Sequence, residues 1–127
     1  MTRVQTYTGE YLEETLEELL EEITTAITAQ YPDAEVILFG SYARGDFTKD
    51  SDLDICVLVP EINGRRLDMN VDISCSVRDG FPIPFDILLY TYDEFEDYSK
   101  SQSRLQYKIK HEGRVLNGRY STRQRMD

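Results

Sequence analysis

Leu38-Phe39-Gly40-Ser41-Tyr42-Ala43-Arg44-Gly45-Asp46, continuing to Ser51-Asp52-Leu53-Asp54, is the stretch whose reading decides the fold. An apolar run ends at Gly40-Ser41 and a polar loop follows. A second apolar run, Ile55-Cys56-Val57-Leu58-Val59, starts directly behind two aspartates one residue apart. Side chains two residues apart on a strand share a face. Asp52 and Asp54 therefore project together from a strand start, where two carboxylates can hold a divalent ion between themselves and a polyphosphate. Gly40 has no side chain to keep phosphates from nearby backbone N–H groups, and Ser41 adds a hydroxyl donor. Taken singly, the Gly-Ser pair reads equally well as a tight turn, and the aspartates as a solvated loop end.

Outward from this block the chain alternates helix and strand patterns. Leu12, Leu16, Leu19, Leu20, Ile23 and Ile27 recur at helical spacing, which predicts one amphipathic helix from Thr8 to just before Pro32. Residues 1–7 are polar and are expected to fray. A strand over 35–39 follows, then a short turn of helix capped by Ser41 and ended by Gly45, then a strand over 52–59 closed by Pro60. Between 61 and 84 a two-residue alternation (Val71, Ile73, Cys75, Val77) competes with a helical one (Leu67, Val71, Cys75). We read it as a helix, because a parallel return to the sheet needs a crossover of that length. Residues 85–90 form a third strand, and Thr91-Tyr92-Asp93-Glu94 has the form of a capping box that opens a helix. A further helix from Ser103 is expected to bury Leu105 and Ile109 and to end at Gly113. Val115-Leu116 then adds a short edge strand, and the tail from Gly118 is loose. The fold class is α/β (α+β), a small mixed sheet of three to four strands covered by helices. Residues 1–127 are read as one domain, ordered over about 8–117, and 40% hydrophobic content suits one core.

Composition narrows the partners. The formal net charge of -10, with ten Arg and four Lys among the cations, argues against a grip on a long nucleic acid backbone, which rests on many Lys/Arg to phosphate contacts. One nucleotide arriving with its metal is not excluded. Glu10, Glu13, Glu14, Glu17, Glu18, Glu21 and Glu22 are expected on the solvated face of the first helix. Cys56 and Cys75 have no disulfide or zinc pattern, and the longest apolar runs are strand length, so a cytoplasmic protein with reduced thiols and no membrane span is expected.

The spacing carries the strongest signal: Gly40-Ser41, ten residues from 42 to 51, then Asp52-Leu53-Asp54. Gly40, Ser41, Ala43, Arg44, Gly45, Asp52 and Asp54 together resemble the nucleotidyltransferases of the DNA polymerase β superfamily. In particular they resemble the minimal nucleotidyltransferases often paired with all-helical HEPN toxins. The helix before the block, Pro84-Phe85-Asp86, the helix start at Thr91–Phe95 and Glu112-Gly113-Arg114-Val115-Leu116 extend the likeness over about residues 10–117. The resemblance implies a polymerase β-like fold and transfer of a nucleoside monophosphate, AMP by preference, from an NTP to a hydroxyl. Mg2+ would be held by Asp52, Asp54 and a third aspartate, and the nucleotide by Gly40, Ser41 and Arg44. It also implies an antitoxin that adenylylates its HEPN-type toxin partner.

A third carboxylate is needed to complete a second metal position and to take a proton from the acceptor. Asp86 is the candidate, because a charge within an apolar strand is costly without a function, and the resemblance favours it too. Asp72 is the competitor, expected to be exposed on the crossover. Arg44 can approach a phosphate or pair with Asp46 or Asp50. Tyr42 can line the pocket or pack, and His111 reads as a surface or helix-end residue. Only about 40 residues follow Asp86, little for a separate acceptor-binding domain, so the acceptor is expected on a partner's surface. Two other readings remain: a non-catalytic module that occludes its partner, and a small-molecule transferase of the aminoglycoside-modifying kind.

Overall fold

In the computed structural model, residues 3–5 and 11–117 are described. The expectations for Thr8, Glu10 and the tail from Gly118 lie outside them. The elements are β1 (Arg3–Gln5), β2 (Tyr11–Thr15), α1 (Leu16–Gln30), β3 (Glu35–Phe39), α2 (Ser41–Arg44), β4 (Leu53–Val59), α3 (Arg66–Ser76), β5 (Phe85–Thr91), α4 (Tyr92–Tyr98), α5 (Leu105–Glu112) and β6 (Arg114–Val115).

The first helix begins later than its apolar spacing implies. Tyr11–Thr15 is a strand paired antiparallel with Arg3–Gln5, so residues 3–5, expected to fray, are part of a two-stranded ribbon. The capping box that decides the start is Thr15 with Glu18. The Glu18 N–H donates to Thr15 Oγ1 at 3.2 Å, and the Thr15 N–H donates to Glu18 Oε1 at 3.4 Å. Leu12 and Leu16 are four apart, which fits a helix as well as a strand running into one, and periodicity cannot separate the two. Glu13 and Glu14 accordingly sit on the ribbon and not on the helix.

The main sheet has the order β5-β4-β3-β6, with β4 and β5 parallel and the other neighbours antiparallel. The helix α3 makes the parallel crossover, which settles Arg66–Ser76 of the ambiguous segment 61–84 as helical, but its buried side is Met69 and Ile73, and the expected stripe of Leu67, Val71 and Cys75 is exposed. The central strands β3 and β4 are largely apolar on both faces because each face is covered. One face carries Val36, Leu38, Ile55, Val57, Ile87 and Leu89 into a core completed by Leu16, Leu19, Leu20, Ile23 and Ile27 of α1 and by Met69 and Ile73 of α3. Burial of each such side chain contributes roughly 1.5–3 kcal/mol. The opposite face carries Ile37, Cys56 and Leu58 against Phe95 of α4 and Ile109 of α5. Within α5, Leu105 is 46% exposed, contrary to expectation, and Gln106 is buried in its place. Ile109 is the residue of that helix that enters the apolar layer.

Candidate functional site

The two sheet faces determine where the aspartates point. Asp54 precedes Cys56 and Leu58 by even steps, and Asp86 precedes Leu88 and Tyr90 in the same way, so both carboxylates belong to the face covered by α4 and α5. They are also register partners: Asp54 lies opposite Asp86 across the parallel pair and opposite Phe39 across the antiparallel one. A single row of the sheet therefore runs Phe39, Asp54, Asp86. Neighbouring strands are only about 4.8 Å apart, so the two carboxylates repel and each favours a shared cation. Asp52 stands exposed one residue before β4, where Leu53 N–H is held by Pro84 O at 2.9 Å.

Gly40 comes directly after Phe39 and caps α2 with φ 76° and ψ -156°, a conformation open essentially to glycine alone. A Cβ at this position would collide with Asp54 Oδ2 and stand 3.1 Å from its Cγ. The glycine thus lets the Asp54 carboxylate lie against the main chain at the head of α2. Ser41 is the first residue of that short helix and not its cap, a correction to the sequence reading; Ala43 and Arg44 N–H both bond Gly40 O at 3.1 Å. Gly45, at φ 91°, ends the turn.

Electrostatics agree with the geometry. Burial, with the nearby charges of Asp86 and Asp52, holds the Asp54 carboxyl above the ordinary carboxylate range, against an opposing pull from Arg44. Asp86 itself is exposed, so the reason first given for it, a costly buried charge, does not hold. Its position opposite Asp54 is the reason that replaces it. Asp72 lies exposed on α3, the helix that covers the other face of the sheet. Arg44 Nε is 3.3 Å from Asp46 Oδ2, both side chains being exposed. Tyr42 is buried and stacked on Phe47 at 4.3 Å, with its hydroxyl pushed up by burial and by Asp52. His111 bonds Tyr107 O at 2.8 Å at the end of α5.

Among the described residues no group of three or more His, Cys, Asp or Glu side chains forms a ready-made metal cage. The donors present suit an ion of another habit. Mg2+ is commonly held by one or two carboxylates together with substrate phosphates, and Asp52, Asp54 and Asp86 are hard oxygen donors of that kind. The carboxylate at Gly40 opens on a groove of about 310 Å3 whose sheet side is Phe39, Gly40, Ser41, Arg44 and Asp54. Its other wall is one stripe of α5, formed by Leu105, Lys108, Ile109 and Glu112 at spacings of three, four and seven. The sequence alone does not reveal this wall. Its helical stripe was readable, but nothing in the periodicity says which structure the stripe faces.

The chain belongs to the nucleotidyltransferase domain family, whose match covers residues 17–113. It is 37% identical over 54 residues to a protein of Methanocaldococcus jannaschii named "putative protein adenylyltransferase", covering 42% of this chain and 52% of that protein. A second protein of that organism with the same description is 62% identical over 24 residues, 19% of this chain and 24% of the relative. The chain thus spans about half the length, or less, of these curated relatives. A crystal structure described as a "putative nucleotidyltransferase" from Sulfolobus solfataricus shares the fold at TM-score 0.55 and 22% identity, over 79% of this chain and 78% of the other. The α+β fold expected from the sequence is therefore the observed one. Among the described residues no helix is long and apolar enough to cross a membrane.

Proposed function

We propose that residues 1–127 act as one Mg2+-dependent nucleotidyltransferase domain that moves AMP from ATP to a hydroxyl on a partner protein of the HEPN toxin type, silencing it. The observation that carries this reading is the pairing of Asp54 with Asp86 in one sheet row beside the Gly40 helix head. The names of the two M. jannaschii relatives support a protein as acceptor.

In this reading Gly40 and Ser41 receive the triphosphate at the head of α2, and Arg44, on the last residue of that helix, adds positive charge once it leaves Asp46. Asp52, Asp54 and Asp86 would hold the divalent metal, which supplies charge neutralisation of the triphosphate. Asp86, exposed and across the sheet from Asp54, takes the proton of the acceptor hydroxyl as the hydroxyl oxygen bonds to the α-phosphorus. The bond from that phosphorus to the bridging oxygen breaks, and pyrophosphate leaves. The site of action is the cytoplasm, where ATP is supplied and Cys56 and Cys75 remain free thiols.

The test is incubation of the protein with α-labelled ATP, Mg2+ and the protein encoded by the adjacent gene, comparing wild type with the Asp52→Ala, Asp54→Ala double variant. Label on the partner with wild type only is the expected result. Neutralisation of the partner that survives in the double variant would replace transfer by occlusion, and labelling of a small hydroxylated compound without any protein would replace the acceptor class.

A further inference from the structure

The groove beside Asp54 has a charge problem that the residues assigned so far do not solve. Its described lining carries Asp54 and Glu112 as anions and only two cations, Arg44 and Lys108. Asp52 and Asp86 add further negative charge next to Asp54. A triphosphate brought into such a site stays anionic even with one divalent ion, so its approach needs protein cations. Arg44 is engaged with Asp46 at 3.3 Å.

Lys108 makes no ion pair with any described carboxylate, whereas Arg66, Arg78, Lys110 and Arg114 all do. Lys49, Arg65, Lys100 and Arg104 also lack carboxylate partners, but none of them lines this groove. Lys108 is held there by its helix. It precedes Ile109, which is 1% exposed and anchors α5 to the sheet, so its stem rises from a fixed wall across the groove from Gly40 and Ser41. A compact ammonium with three donors suits the oxygens of a phosphate chain as a point charge.

We propose that Lys108 is a nucleotide-binding residue that holds the triphosphate from the α5 side of the groove, opposite the backbone of the Gly40-Ser41 turn. This rests on the nucleotide reading above. It assigns the phosphate-binding cation to a helix that comes more than 60 residues after the Gly-Ser turn, and it makes docking of α5 a condition for nucleotide affinity.

The experiment is calorimetric titration with α,β-methylene-ATP and Mg2+ for wild type, Lys108→Met and Lys108→Arg, with thermal midpoints measured alongside. Lys108 is exposed, so both variants are expected to melt within a degree or two of wild type. Loss of a charge-assisted contact raises Kd about tenfold or more in Lys108→Met, Lys108→Arg recovers much of it, and the salt dependence of Kd flattens in the methionine variant. An unchanged Kd in Lys108→Met beside a binding wild type overturns the assignment and leaves the nucleotide reading intact. Equal loss in both variants, with lowered melting, overturns it in favour of a structural role. A wild type that binds no nucleoside triphosphate overturns both.

Discussion

Replacing Gly40 with alanine tests the seat of the Asp54 carboxylate directly. At φ 76° and ψ -156° the backbone is in a region that costs a non-glycine residue about 1–3 kcal/mol. The added methyl would also overlap Asp54 Oδ2, with Cγ at 3.1 Å and Cβ at 3.3 Å. Asp54 sits on a strand paired on both sides, at Phe39 and at Asp86, so the carboxylate must turn away while the backbone stays. Gly45→Ala is the control, because Gly45 also has a positive φ of 91° but nothing lies within 4 Å of a Cβ built there. That variant should lose only the left-handed penalty, about 1–2 kcal/mol. Urea denaturation of both variants should show Gly40→Ala as the less stable by about 1 kcal/mol or more, the share due to the overlap. Label transfer by Gly40→Ala should fall by at least about a hundredfold, since Asp54 no longer points into the groove. Equal stabilities for the two variants, or full activity in Gly40→Ala, would refute the close packing of Asp54 on the head of α2.

The other expectations concern charge and capping. Asp54→Asn should abolish transfer yet stabilise the metal-free protein near neutral pH. The folded state raises the proton affinity of Asp54, so the wild-type penalty is absent below the unfolded value of 3.8 and grows as pH rises through the folded value. Urea midpoints compared at pH 3.5 and pH 7 should diverge in favour of the variant, and a less stable variant at pH 7 would contradict this. Glu94 behaves in the opposite sense: Arg66, with Nη2 2.6 Å from Oε2, holds its carboxyl below the ordinary value of 4.5. The stability difference between wild type and Arg66→Met should therefore be present above pH 4.5 and close as pH falls through the lowered value. Thr15→Ala and Thr91→Ala each remove the hydroxyl of a capping box and should each cost about 0.5–2 kcal/mol by chemical denaturation. Ile109→Ala leaves a hole under α5 and should cost about 2–5 kcal/mol. It should also weaken nucleotide binding measured well below its melting point, because the wall that carries Lys108 loosens.

How much was legible varies with the range of the interaction that decides each feature. The Gly-Ser turn, the strands around it and the Thr91 capping box are local, and each occurs where the sequence implies. The start of α1 is local too, but the Thr15-Glu18 box that sets it is masked in the sequence by Leu12 and Leu16, which are spaced like a helix. Leu105 was expected in the core on periodicity alone, which identifies a stripe and not its neighbour. The burial argument for Asp86 fails because the residue is exposed, and its register with Asp54 supports it instead.

The sequence by itself determined the order of elements from β3 onward apart from the ambiguous 61–84 segment, and the family-like spacing of Gly40, Ser41, Asp52 and Asp54, because these rest on backbone preferences and residue spacing within a few turns of chain. Tertiary structure alone decided which face of the sheet the aspartates share, that Asp86 stands across from Asp54, that Gly40 carries the carboxylate, and that α5 brings Lys108 to the groove. Those are contacts between segments 14 to 68 residues apart, set by how helices compete for two apolar faces, and no local rule encodes the outcome.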